Sequence, residues 1–187
     1  HPATPHSSTS RGLGDVYKRQ EEKEQVVTLE QDINECRKKN GEKPLSYYKG
    51  GPMADISAYM AYTSRGNIIN VEIPNNDKAI DAYEMGRKLY FTKVGQLNFS
   101  CADCHVYQTG SKLRADIPSP GIGHPTHFPA YRSSAGRLVT LHERFAGCLN
   151  RVRAKPFKAQ NAEYRNLEYF MTFMSNGLEI NGPGSRK

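Results

Sequence analysis

Tryptophan is absent from this sequence, cysteine occurs only four times, and no long apolar run interrupts its 187 residues. No stretch approaches the roughly 20 apolar residues of a membrane-spanning helix, so we expect no membrane span. The net charge of +7 comes without a basic run or a nucleic-acid motif. The charge therefore favours a small anion or an acidic protein as partner, and we expect no nucleic-acid partner.

The beginning of the chain lacks the features of a folded segment. Residues 1–20 are polar, without apolar periodicity and without the hydrophobic stretch of a signal peptide. They are interpreted as a non-native or disordered extension. Because the chain begins without Met, we expect that native sequence upstream of about Glu21, including a signal peptide, is missing.

Two parts of the chain resemble each other. Residues 56–70 read ISAYMAYTSRGNIIN and residues 167–181 read LEYFMTFMSNGLEIN, with matching Met, Ser, Gly, Ile and Asn positions. Each segment is typical of an amphipathic helix that ends at a left-handed glycine. With one residue of slippage, the same comparison aligns Cys36 with Cys148. Such internal similarity predicts a duplicated structural unit, the first copy of which has lost its opening half.

Residues 101–105 read CADCH, which fits the CxxCH signature of c-type haem attachment. Cys101 and Cys104 would each add to a haem vinyl group, and His105 would be the proximal ligand of iron. A zinc site would need a second pair of ligands, and a thioredoxin-type motif would need a preceding strand of a βαβ unit. The sequence offers neither, so we predict covalently attached haem c.

The motif and its flanking helices predict a mainly α fold. Residues 76–187 are assigned to a haem-binding cytochrome c-like domain and residues 21–75 to the remnant of a truncated, related domain. In the opening helix of the haem domain, Ala82, Met85, Leu89 and Tyr90 are predicted to share one face. Residues 116–136, rich in Pro, Gly and Ser, are predicted to form a loop around the haem. We expect the closing helix to span residues 161–177, with Asn161 as its N-cap.

The sixth ligand of the iron decides between an ordinary electron carrier and another function. Methionine is the usual choice and raises the potential, but Met171 and Met174 lie within the closing helix, where methionine is more often core. His124 and His127 in the loop and His142 in a predicted helix are alternatives. Each of these histidines is more often a surface or packing residue than a ligand.

Covalent haem c implies an oxidising compartment outside the cytoplasm. Cys148 is the fourth cysteine, and a cysteine in such a compartment is paired, reactive or bound to metal. A disulfide with Cys36 is disfavoured, since the two residues occupy equivalent places in the two repeats. Arg144 lies one helical turn before Cys148 and would share its face. A cation beside a thiolate lowers the pKa of the sulfur and can hold an anionic substrate. Alone, Arg144 would be read as a solvated charge, but together with Cys148 it forms a candidate catalytic pair.

From about residue 30 to its C-terminus the chain resembles the SoxA family, the haem-bearing subunits of the SoxAX sulfur-oxidation cytochromes. The segments that carry this resemblance are INECR at 33–37, AYMAYTSRG at 58–66, FSCADCH at 99–105, HFPAYR at 127–132, LHERFAGC at 141–148 and RAKPF at 153–157.

The resemblance implies a periplasmic L-cysteine S-thiosulfotransferase that couples thiosulfate to a cysteine thiol of the carrier SoxYZ and passes electrons to haem. It implies a heterodimer with a SoxX-like cytochrome. Cys148 matches the family's haem-ligating cysteine, which carries a persulfide, and Arg144 matches its substrate-binding arginine. Cys36 matches a first-domain cysteine that either ligates a second haem or forms a disulfide.

Two other classes of function compete with this reading. The chain could be a non-catalytic electron-transfer cytochrome with a Met or His sixth ligand, or a binding module in which haem is structural. Cys148 discriminates among them, because only the resemblance to SoxA gives this residue a role in chemistry.

Overall fold

The computed structural model describes residues 25–113 and 115–186. The predicted extension 1–20 lies outside these described residues, so the structure does not bear on it. Within the described ranges, no helix has both the length and the apolar character that crossing a membrane requires.

The described chain is mainly α-helical, which confirms the predicted fold class. A π-helical turn, Asp103–Tyr107, includes the second cysteine of the CADCH segment. A three-stranded sheet has β1 (Ala130–Arg132) in the centre, antiparallel to β2 (Arg137–Val139) and parallel to β3 (Gly184–Arg186). The elements in chain order are α1 (Leu29–Lys39), α2 (Pro52–Thr63), α3 (Asp77–Phe91), the π-helix Asp103–Tyr107, the 3-10 helix Pro125–His127, β1 (Ala130–Arg132), β2 (Arg137–Val139), α4 (Leu141–Arg151), α5 (Ala162–Met174) and β3 (Gly184–Arg186).

The main core forms where α3 packs against α5. Tyr83 contacts the rings of Phe170 and Phe173, with centroid distances of 5.5 and 5.2 Å, and Tyr90 lies 5.4 Å from Phe170. Gly86 is buried at the crossing, where an added Cβ would lie 2.0 Å from the carbonyl oxygen of Asn166. A side chain at this position would therefore keep the two helices apart.

The predicted inner face of α3 is wrong at one position. Met85 is 60% exposed, whereas Tyr90 is fully buried and Leu89 is half-buried. Tyr83 takes the place that was expected for Met85, because the buried stripe follows positions 79, 82, 83, 86 and 90. This stripe has the usual helical spacing, and Met85 lies to one side of it.

The ends of α2 and α5 pair with each other. Both helices are followed by a left-handed glycine, as predicted, with φ of 83° at Gly66 and 84° at Gly177. The Gly66 N–H donates to the Ile180 carbonyl, and the Gly177 N–H donates to the Ile69 carbonyl. These two bonds are equivalent under the internal repeat, so the two similar segments also make similar contacts.

The closing helix is shorter than expected. It begins after Asn161, which stands at the N-cap but makes no side-chain capping hydrogen bond, and it ends at Met174. Ser175 then caps the last turn through its backbone N–H. The predicted loop 116–136 is largely irregular, but it contains the 3-10 helix and β1, which pairs with β3 from the end of the described chain.

Residues before position 76 pack closely on those that follow. Val26, Ile69 and Val71 share a core cluster with Tyr169 and Ile180. The division into residues 21–75 and 76–187 stays a prediction, and this cluster shows that the two parts share apolar core.

Two carboxylates, one from α1 and one from α5, lie close together. Glu30 of α1 and Glu168 of α5 both line a small cavity of about 70 Å³. Glu168 lies 3.1 Å from His142 Nε2, close enough for an ion pair, although the geometry is not that of a hydrogen bond. Burial, together with the charge of Glu168, raises the pKa of Glu30 to about 7, against the lowering effect of His142.

This raised pKa predicts that the protein is more stable at mildly acidic pH. The contribution of Glu30 is fully present below the ordinary carboxyl pKa and is lost as pH rises through about 7. The full shift corresponds to about 3 kcal/mol at most. We expect Glu30→Gln to flatten the fall in unfolding free energy between pH 5 and pH 8, measured by denaturant unfolding at each pH. Glu84→Gln, a change in an exposed carboxylate of α3, serves as the control and should keep the wild-type slope. An unchanged slope in Glu30→Gln would contradict the prediction.

Candidate functional site

All five residues that the sequence singles out for chemistry line one cavity of about 540 Å³. They are Cys101, Cys104, His105, Arg144 and Cys148. Its volume is within the range of sites that bind cofactors and small ligands. Most of its other lining residues are aliphatic or aromatic, among them Tyr90 and Phe145 from the core.

A helix cap holds the CxxCH segment in place. Ser100 donates both its backbone N–H and its hydroxyl to Asp103 Oδ2, each at 2.8 Å, and the Asp103 N–H donates back to Ser100 Oγ at 3.0 Å. The bond from the Ser100 backbone is the main reason that the pKa of Asp103 is lowered. This reciprocal cap begins the turn at Cys101, and the S-x-x-D spacing could have revealed it from the sequence.

Burial keeps the two thiols of the motif protonated. It raises the pKa of Cys101 to about 12, and the nearby Cys148 sulfur raises it further. Burial and the Cys148 sulfur likewise raise the pKa of Cys104. Cys148 therefore lies close enough to both thiols of the attachment motif to influence their pKa values.

The imidazole of His105 is oriented by its Nδ1 atom. Nδ1 lies 2.8 Å from the carbonyl oxygen of Ser119, to which it donates in the tautomer that leaves Nε2 as the basic nitrogen. Burial lowers the pKa of His105, and the positive charge of Arg144 lowers it further. A neutral imidazole with Nε2 available is the form that binds iron, and the carbonyl partner is typical of metal-ligating histidines.

The residues present fit a haem. The cavity combines a thiol pair, a neutral imidazole and an apolar wall. Its wall also holds the Tyr90 hydroxyl, which is buried and has no hydrogen-bond partner among the described residues. Cys101 and Cys104 would form the two thioether links, and His105 would bind iron from the proximal side.

The structure argues against His124 and His127 as the sixth ligand, because Nε2 of His124 and both ring nitrogens of His127 already have hydrogen-bond partners. His127 uses Nδ1 with the Gly123 carbonyl at 2.9 Å and accepts from Arg186 Nε at Nε2, 3.2 Å away. His124 Nε2 is bonded to Ser119 Oγ at 2.9 Å. Burial, with the neighbouring His105, lowers the pKa of His124 to about 3, so its ring is neutral.

His142 and Met174 are not among the described residues that line this cavity. His142 accepts the Gln160 N–H at Nδ1, 3.1 Å away, and its Nε2 faces Glu168. Met171 does line the cavity, as a buried core residue within α5. Cys148 and Met171 are therefore the two sequence candidates that remain as sixth ligands.

Helix α4 presents Arg144 and Cys148 to the cavity on one face. The Thr140 hydroxyl caps the helix by accepting the Glu143 N–H at 3.4 Å. The predicted one-turn spacing of Arg144 and Cys148 is therefore realised on this helix. The residues of α4 and its C-cap that line the cavity are Leu141, Arg144, Phe145, Cys148, Leu149, Arg151 and Val152.

Four arginines line the otherwise mostly apolar cavity, and sequence reasoning foresaw only Arg144. Arg132 of β1, Arg151 of α4 and Arg186 of β3 also line it. Burial lowers the pKa of Arg132, and the charges of Arg144 and Arg151 lower it further. Arg151 lies 3.6 Å from Asp116 and Arg186 bonds to His127, whereas within the described chain no carboxylate pairs with Arg144. Arg144 is thus free to bind an anion.

The chain matches the family model described as SoxA/TsdA, cytochrome c domain, over residues 8–69 and 85–180. The first matched segment begins within the stretch 1–20. The attachment motif and all of α4 lie in the second matched segment.

Similar proteins carry consistent names. The chain is 57% identical over 167 residues to the L-cysteine S-thiosulfotransferase subunit SoxA of Allochromatium vinosum, covering 89% of this chain and 59% of that protein. It is 50% identical over 183 residues to the protein of the same name from Chlorobaculum tepidum, covering 98% and 63%. The chain therefore spans about three fifths of the length of these curated relatives.

A solved structure is similar as well. The crystal structure of SoxXA from P. pantotrophus contains a chain that matches with a TM-score of 0.79 and 33% sequence identity. The match covers 86% of this chain and 60% of that one.

Proposed function

The chain belongs to the SoxA/TsdA cytochrome c family, and from this membership we propose that it is the haem-bearing subunit of a periplasmic thiosulfate-oxidising enzyme. Haem c is the cofactor of a cytochrome c domain, and we assign one haem to Cys101 and Cys104. The enzyme would act as an L-cysteine S-thiosulfotransferase, the activity that its relatives are named for.

The proposed reaction joins thiosulfate to a carrier thiol. A sulfur–sulfur bond forms between the sulfane sulfur of thiosulfate and the carrier cysteine, whose S–H bond breaks. One proton and two electrons leave, so that the product is an S-thiosulfonate on the carrier. Haem c, when bound, would supply a one-electron acceptor, so the second electron requires that the first has passed on to a partner cytochrome.

The protein's own residues would bind and orient the reacting sulfur. Arg144 offers a guanidinium fork without a carboxylate partner in the described chain, and thiosulfate is a dianion that such a fork can hold. Cys148, one turn further along α4, would ligate iron and carry the persulfide at which sulfur exchange takes place. Arg132 adds positive charge to the same wall and strengthens the attraction for an anion.

We also propose two protein partners. One is a SoxX-like cytochrome subunit, supported by the similarity to a chain of the SoxXA crystal structure. The other is a SoxYZ-like carrier, which would present its thiol at the cavity. One observation carries the functional proposal: the haem-attachment motif and the Arg144–Cys148 face of α4 line the same cavity.

Replacing Arg144 with alanine is expected to reduce the specificity constant for thiosulfate by about 10- to 100-fold, the effect of losing one charge-assisted bond. Haem spectra should stay unchanged, because Arg144 is not an assigned iron ligand. The measurement is thiosulfate- and carrier-dependent haem reduction by the protein assembled with its partner cytochrome.

Two variants control this experiment. Arg144→Lys keeps the charge but not the planar fork, and it should recover only part of the activity. Arg151→Ala removes another cavity arginine, one that already faces Asp116, and it should have a smaller effect. Wild-type kinetics in Arg144→Ala would contradict the assignment, and a wild-type protein that does not couple thiosulfate would support a non-catalytic carrier.

A further inference from the structure

A second histidine packs against His105, the candidate proximal ligand. The ring of His124 packs edge-on against the ring of His105, with centroids 4.6 Å apart and planes at 85°. We propose that His124 is a positioning residue that fixes the orientation and hydrogen bonding of His105 and thereby lowers the reduction potential of the haem. This inference rests on haem ligation by His105 and not on the thiosulfate reaction.

His124 acts on His105 through Ser119 as well as by direct ring contact. The Ser119 carbonyl accepts from His105 Nδ1 at 2.8 Å, while its hydroxyl is bonded to His124 Nε2 at 2.9 Å. One residue therefore presents its backbone to the ligand and its side chain to the second histidine. Fixing the Ser119 side chain limits the movement of the carbonyl that His105 needs.

The loop that carries these groups is held from three further directions. The Gly121 N–H donates to the His105 carbonyl at 2.9 Å, and an added Cβ at Gly121 would lie 2.0 Å from the Tyr90 hydroxyl. The Gly123 N–H donates at 3.0 Å to the hydroxyl of Ser175, which is fully buried. The segment between Ser119 and His124 is thus held in place at Gly121 and at Gly123.

The expected effect on the reduction potential of the haem follows from the hydrogen bond between His105 Nδ1 and the Ser119 carbonyl. A well-aligned acceptor makes the imidazole a stronger donor to iron, which stabilises the oxidised form. Loosening the Ser119 carbonyl weakens this effect and favours the reduced form. Losing the His124 ring would also let the His105 plane rotate, which changes the ligand field without removing the ligand.

The test compares His124→Phe, which keeps an aromatic ring but loses the bond to Ser119, with Ser119→Ala, which keeps the carbonyl but loses the hydroxyl. Redox titration of the full-length haem-loaded protein should show a higher midpoint potential in both. We expect a three- to tenfold larger ratio of reduced to oxidised haem at a fixed solution potential, where tenfold corresponds to 59 mV for one electron. Electron paramagnetic resonance should show a shifted or broadened low-spin signal.

Three comparisons separate positioning from general loosening. The double variant should shift the potential no more than either single variant, since both break the same bond. Ser119→Thr keeps the hydroxyl and should restore the wild-type potential. Ser57→Ala removes a fully buried hydroxyl outside the cavity and should leave the potential unchanged. Wild-type potentials and spectra in both His124→Phe and Ser119→Ala would overturn the proposal, even if thiosulfate coupling proceeds as proposed.

Discussion

A Cys148→Ala variant is expected to lose thiosulfate coupling by a factor on the order of 10³ or more, as enzymes do when a covalent catalytic group is removed. The haem should remain attached, because Cys101 and Cys104 are unchanged. The measurement combines the rate of carrier-dependent haem reduction with absorption and electron paramagnetic resonance spectra of the holoprotein.

The size of this effect follows from the two roles proposed for one sulfur atom. Cys148 would bind iron and also hold the exchanging sulfur, so its loss removes both the ligand and the reactive centre. The spectra should therefore lose their thiolate signature together with activity. Intact-mass measurement should show one extra sulfur atom on a fraction of the wild-type protein and none on the variant.

Cys36→Ser is the matched control, since Cys36 is exposed on α1 and does not line the cavity. It should retain the thiolate signature. A Cys148→Ala protein with an unchanged low-spin thiolate spectrum and retained coupling would contradict the assignment. Loss of the thiolate signature with retained coupling would leave Cys148 a ligand without a catalytic role.

The local parts of the site could be predicted from the sequence because their geometry is set within one or two turns of chain. CxxCH places two thiols and an imidazole together in five residues, and the one-turn spacing of Arg144 and Cys148 needs only a helix to share a face. The mainly α fold and the family were likewise predicted correctly. The paired glycine-capped helix ends reflect an internal similarity that is visible in the sequence.

What the sequence does not show depends on contacts between distant segments. Arg132 reaches the cavity from a short central strand, and Ser119 reaches His105 from fourteen residues further along the chain. The histidine ligand alternatives are resolved only by their hydrogen bonds, which depend on partners such as Arg186 and Gln160. The helical pattern wrongly predicted that Met85 faces the core. Side chains one position apart on a helix point about 100° away from each other, so an error of one position is enough to move a side chain out of the core.

Gly86→Ala is expected to lower the free energy of unfolding by about 2–3 kcal/mol, although alanine is the better helix former. Intrinsic propensity alone would stabilise α3 by about 1 kcal/mol. At Gly86, however, the new methyl group would lie 2.0 Å from the Asn166 carbonyl oxygen and 3.0 Å from Phe170 Cβ. Since backbone cannot yield as a flexible side chain does, α3 and α5 must separate, and overpacking of this kind outweighs the propensity gain.

The matched control is the same substitution in another helix. Gly147 lies in α4, and a Cβ added there meets no atom within 4 Å, so Gly147→Ala should stabilise the protein by about 0.5–1 kcal/mol. Denaturant unfolding of both variants, followed by far-ultraviolet circular dichroism, measures the difference. Both substitutions change helix propensity alike and differ only in the surroundings of the added methyl group. Changes of opposite sign in the free energy of unfolding would therefore measure the effect of packing separately from that of propensity. Equal stabilisation by the two substitutions would show that the α3–α5 crossing has room for a side chain. The claim that a Cβ at Gly86 forces the two helices apart would then be wrong.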